Sequence, residues 1–135
     1  MRKINKLVIH CSDSPDDRDV DRKDIDAWHK ERGWDGIGYH YVIKRDGVVE
    51  IGRPESVQGA HTRGHNRGSL GVCMIGREVF SEEQYKALTI LIKDLTARYR
   101  GLYVAGHYEY DEHKTCPNFK VEEYLMDNGL LEDFK

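Results

Sequence analysis

Short apolar runs alternate along the chain with polar, glycine-bearing segments. Ile4 and the Leu7-Val8-Ile9 run predict a strand over 3–10. Residues 11–19 are rich in Ser, Asp and Pro and read as a loop. Asp21 is placed to cap a helix reaching about residue 32. Ile25, Trp28 and His29 or Arg32 keep helical spacing, and Gly33 stops it. Residues 39–45 alternate in strand fashion, Asp46-Gly47 is a hairpin turn signal, and 48–51 return. Alternation sends Tyr39 and Tyr41 to one face and His40 to the other. From 52 to 69 the chain holds four glycines, one proline and two histidines. A loop of that length in a small domain is functional or disordered. Leu70–Ile75 is a buried-type strand. Ser81-Glu82-Glu83-Gln84 is a capping box. Behind it, Tyr85, Leu88, Ile92, Leu95 and Tyr99 form one buried helix face. A short strand over 102–105, a loop over 106–118 and a short helix over 121–126 complete the order βαβββαβα. The helix after the first strand permits parallel pairing, and the hairpin is antiparallel. The expected fold is α/β, one domain over 1–135, with a central mixed sheet flanked by helices.

Composition narrows the classes. The chain has 135 residues, with 21 Lys+Arg against 24 Asp+Glu, for a net charge of −3. Mild acidity argues against nucleic acid as a partner. No apolar run approaches the roughly 18–20 residues of a membrane span. The basic start is followed only by Leu7-Val8-Ile9, too short for a signal peptide's apolar region, so the expected location in the producing cell is cytoplasmic. Three cysteines argue against a disulfide framework and leave at least one thiol free.

Candidate chemistry sits at strand ends, where α/β sheets place their sites. His10 ends the first strand, His107 follows the last, and Cys116 lies nine residues beyond it. Two imidazoles and a thiolate suit Zn²⁺, with a fourth position left for water. Spacing alone equally allows hydrogen-bonded histidines and a small core cysteine. Lys114 stands two residues before Cys116, placed to meet a developing oxyanion. Tyr39 and Tyr41 supply hydroxyls or merely strand propensity. The 52–69 loop carries Arg53, Arg63 and Arg67 against Glu55, a local +2 suited to carboxylate ligands or simply solvated.

Several ordered stretches carry a more specific resemblance. They are Val8-Ile9-His10-Cys11-Ser12, Trp28-His29-Lys30-Glu31-Arg32-Gly33-Trp34 and Gly38-Tyr39-His40-Tyr41-Val42-Ile43-Lys44-Arg45-Asp46-Gly47. Beyond these come Gly59-Ala60-His61, Gly64-His65-Asn66, Ser69-Leu70-Gly71-Val72-Cys73 and Lys114-Thr115-Cys116-Pro117. Together they resemble the zinc-dependent N-acetylmuramoyl-L-alanine amidases of the type 2 family, related to the peptidoglycan recognition proteins. The small bacteriophage lysozyme-type amidases are the nearest pattern. The resemblance implies one Zn²⁺ per chain held by His10, His107 and Cys116, with Tyr39 and Lys114 as the catalytic pair. It implies that His61, Arg63 and Asn66 line the substrate side, and that Cys11 and Cys73 are buried thiols without catalytic role. It implies a peptidoglycan or muropeptide substrate, and a monomeric endolysin that acts on the wall after release. One departure stands out: His113 occupies the place where phage relatives often have a proline, making it a rival contact to Lys114. The alternative is a recognition module that binds peptidoglycan without cutting it. Non-catalytic relatives lose the cysteine ligand, and Cys116 is present here.

Overall fold

The computed structural model describes residues 2–130. The elements are β1 (Lys6–Cys11), α1 (Arg22–Glu31), β2 (Tyr41–Ile43), β3 (Val49–Ile51), β4 (Ser69–Met74), α2 (Glu82–Arg98), β5 (Tyr103–Gly106) and α3 (Val121–Asp127), with a 3₁₀ turn at His107–Glu109. Their order is the expected one. The sheet is mixed, in the order β3-β2-β4-β1-β5. β1 runs parallel to both β4 and β5, β2 runs parallel to β4, and only the β2–β3 hairpin is antiparallel. β1 and β2 therefore do not pair with each other; β4 separates them. Residues 131–135, Glu132 and Asp133 among them, lie outside the described residues.

Alternation along the strands gives the sheet two unlike faces. Leu7, Ile9, Leu70, Val72, Met74 and Ile43 meet α2 and α3 in the larger core. Val42, Cys73 and Ile75 meet Ile25 of α1 in the smaller one. Helix α2 begins at the expected capping box, Ser81 accepting from Gln84 N and the Gln84 side chain from Ser81 N. It buries Leu88, Leu91, Ile92 and Leu95, each contributing roughly 1.5–3 kcal/mol by leaving water. Tyr85 and Tyr99 are only half-buried at the margin of this face. Gln84 is fully buried, and its Nε2 donates to the carbonyls of Ile43 at 3.2 Å and Ile75 at 2.8 Å. That amide satisfies the ends of β2 and β4, where the ladder stops. Helix α1 starts on an Asp21–Asp24 capping box, and Gly33 leaves it at φ +86, a left-handed conformation natural to glycine.

One expectation is corrected. Tyr39 and Tyr41 lie on opposite sides: Tyr41 packs against the larger core and Tyr39 against the smaller. The strand begins only at Tyr41, so the period of two does not extend back to Tyr39.

Candidate active site

Parallel neighbours end at the same edge of a sheet, and β1 and β5 are parallel neighbours. His10, near the end of β1, and His107, directly after β5, consequently meet there. Their ring centroids are 4.4 Å apart. Burial, reinforced by His61 and His107, holds the His10 pKa well below its usual value. Burial lowers that of His107 as well, and Lys114 acts in the same direction. Two neutral imidazoles side by side offer lone pairs rather than charge.

The third expected donor lies at the end of β1, but its thiol faces Cys11. Tyr108 N donates to the Cys116 carbonyl at 3.1 Å, folding the loop back onto the end of β1. Cys116 Sγ lies 2.6 Å from Cys11 Sγ and 3.9 Å from the Cys11 carbonyl. Cys11 follows His10 in the strand, so its side chain points to the opposite face. Among the described residues, no three His, Cys, Asp or Glu side chains converge tightly enough to hold a metal ion. The donor chemistry nevertheless fits zinc. The Cys11 thiol hydrogen-bonds to Cys116 and, with Lys114 acting in the same sense, holds the Cys116 pKa down to about 7. A lowered thiol pKa favours the thiolate that zinc requires. Cys11 and Cys73 are buried thiols, as expected, with pKa values pushed up, Cys11 by its hydrogen bond to Cys116 and Cys73 by burial.

Tyr39 stands over His10 from the α1 side, with ring centroids 5.1 Å apart. Burial raises its pKa well above the ordinary phenol value, so it remains an O–H donor. Lys114 is exposed. His113 is exposed too, its ring beside the neighbouring Glu112 at 3.7 Å.

The long loop from Gly52 to Gly68 is ordered by side-chain hydrogen bonds that the sequence alone did not reveal. Glu55 accepts from Arg98 Nη1 at 2.9 Å and Nη2 at 2.8 Å, and from the hydroxyls of Tyr41 and Tyr99. His40 accepts from Gly71 N at 3.0 Å through Nδ1 and faces the Val57 carbonyl at 2.8 Å through Nε2. Asn66 Oδ1 accepts from both His61 N and Thr62 N, at 2.9 and 2.8 Å. Thus braced, the loop sets the half-buried His61 ring against Gly71, where a Cβ would lie 2.6 Å from the ring. His61 Nδ1 is 3.0 Å from His10 Nε2. His65 stacks on Tyr110 at 4.3 Å, joining this loop to the one that carries Lys114 and Cys116. Of the three residues expected to line the substrate side, only Arg63 is exposed. His61 and Asn66 are engaged inside the loop. Thr62, Ser69 and Glu55 are the additions that tertiary contact supplies; a hydroxyl next to His61 was the one local signal.

Comparison with known proteins decides what this arrangement belongs to. Residues 1–119 match the N-acetylmuramoyl-L-alanine amidase family. The chain belongs to that family. Among its relatives, the endolysin of Escherichia phage T7 is 37% identical over 133 residues, covering 93% of this chain and 87% of the relative. A solved N-acetylmuramoyl-L-alanine amidase, LysC from Clostridium intestinale, superposes with a TM-score of 0.86 at 30% identity, covering 96% of this chain and 87% of that one. A peptidoglycan recognition protein in the LCa–LCx ectodomain complex with tracheal cytotoxin superposes at 0.79, with 26% identity and coverage of 93% and 82%. The amidase fold therefore extends over nearly the whole chain. This amidase is an enzyme: it hydrolyses the amide between the lactyl group of N-acetylmuramic acid and L-alanine, and so degrades cell wall. Among its described residues no helix is long and apolar enough to cross a membrane.

Proposed function

We propose that the amidase is zinc-dependent, with His10, His107 and Cys116 as ligands and Tyr39 and Lys114 as the catalytic pair. The observation that carries this reading is the meeting of two neutral imidazoles at one sheet edge, at the end of β1 onto which the Cys116 loop folds back. Zinc bound there would polarise the amide carbonyl and acidify water. The chain's own residues supply the rest. Lys114 places its ammonium near His107 and Cys116, where it stabilises negative charge on the carbonyl oxygen. Tyr39 keeps its proton and orients water or donates to the leaving amine. Arg63, exposed on the long loop, pairs with a stem-peptide carboxylate, while His61 and Asn66 shape the loop that presents it. The substrate is peptidoglycan or a muropeptide, reached after release from the producing cell.

Digestion of a defined muropeptide, with products identified by mass, tests the reading. The expected products are the free muramic-acid sugar and an intact stem peptide beginning with L-alanine. Chelation abolishes the reaction and zinc restores it. Cys116→Ser loses zinc in elemental analysis; full zinc content in that variant would overturn the assignment of Cys116 as a ligand.

A further inference from the structure

Three polar atoms meet on the inner side of His10. Its Nε2 lies 3.0 Å from His61 Nδ1 and 3.1 Å from Thr62 Oγ1, and the latter two are 2.9 Å apart. Among the described residues, both hydrogen bonds of the His10 ring are at Nε2. Further in, His61 Nε2 lies 3.2 Å from Ser69 Oγ, which is 3.1 Å from the Asn66 carbonyl. Thr62 and Ser69 are 1% and 0% exposed, so bulk solvent does not reach their hydroxyls.

Protons can run along this chain in only two directions, because a neutral imidazole has one N–H and a hydroxyl one O–H. The Asn66 carbonyl decides between them. It can only accept, so the Ser69 hydroxyl donates to it. Ser69 Oγ then accepts from His61, whose Nε2 carries the hydrogen and whose Nδ1 is bare. Two bare nitrogens 3.0 Å apart would repel, so His10 Nε2 carries a hydrogen. The Thr62 hydroxyl completes the triangle, accepting from His10 and donating to His61. His10 Nδ1 is left as a free lone pair.

We infer that Thr62, His61 and Ser69 are positioning residues that fix His10 in its Nε2–H tautomer and leave Nδ1 free to ligate. This rests on the proposed role of His10 as a zinc ligand. A ligating histidine needs its second nitrogen held by a partner, and the loss of such a partner costs about 10–100-fold in metal affinity. His61 thereby acts from behind the metal ligand rather than on the substrate.

Two measurements test it. Long-range ¹H–¹⁵N NMR on metal-free wild-type protein at neutral pH should show His10 protonated at Nε2 and bare at Nδ1. Ser69→Ala, which removes the group that sets the direction, should give a mixture of tautomers. Chelator competition should show zinc binding weakened about 10-fold or more in Thr62→Val, whose side chain keeps the shape without the hydroxyl. Thr62→Ser should restore it. Protonation of His10 at Nδ1 in the wild type would overturn the inference. Wild-type zinc affinity in Thr62→Val, or failure of Thr62→Ser to rescue a folded protein, would do the same. If the wild type binds no zinc, the metal reading itself fails, and the NMR spectrum still decides the tautomer.

Discussion

The charge of Lys114 acts on both His107 and Cys116, though its own side chain stands in solvent. A donor placed for charge that develops only during reaction should matter for turnover more than for binding. Lys114→Ala is expected to lower kcat about 10²–10³-fold with little change in KM. Steady-state kinetics on a soluble muropeptide checks this, and an unchanged kcat would remove Lys114 from the chemistry. Gly71 is the opposite kind of residue, important for what it lacks. A methyl at that position meets the His61 ring at 2.6 Å, in the middle of a strand that cannot yield. Gly71→Ala should still fold, lose the His61–His10 contact, and lose roughly 10-fold or more in kcat. A crystal structure with His61 undisturbed, or unaltered kinetics, would contradict this.

One carboxylate fastens the long loop to the elements beneath it. Glu55 fastens it to β2 through Tyr41 and to the end of α2 through Arg98 and Tyr99. Hydrogen bonds from Arg98, with those of Tyr41 and Tyr99, bring the Glu55 pKa down to about 2. Its unfolded value is about 4.3. A depressed carboxylate stabilises the fold above the unfolded pKa and loses that contribution as pH falls through the folded one. The Glu55 contribution should therefore fade between about pH 4.3 and about pH 2. Glu55→Gln should destabilise the protein by roughly 1–3 kcal/mol at pH 7, and its deficit should shrink across that acid window. Urea titrations of both proteins at several pH values check it, and a deficit constant with pH would count against it.

For the whole molecule, packing histidines inside a small fold has a cost in acid. Burial, the leading cause for each, lowers the pKa of His29 to about 4 and of His40 to about 4. Each accepts a backbone N–H, His29 from Gly38 and His40 from Gly71. The unfolded chain takes up protons near pH 6.5, the folded one only near 4. Stability should therefore be full above about pH 6.5 and decline as pH falls toward 4. A melting temperature flat from pH 7 to 4.5 would refute this. The order of elements was legible in the chain, because hydrophobic spacing, the Asp21 and Ser81 caps and the Asp46-Gly47 turn are local signals. His10, His107 and Cys116 were also legible as residues worth watching, since they sit where strands run out. Pairing was not: that β4 lies between β1 and β2, and that β5 joins β1, depends on contacts between segments far apart in sequence. Those pairings bring His10 and His107 to one edge. The split of Tyr39 from Tyr41, the turn of Cys116 Sγ toward Cys11, and the place of Thr62 and Ser69 behind His10 are settled in the same way. Local patterns along a chain specify which face a residue prefers; which other residue it meets on that face is decided only when distant segments pack.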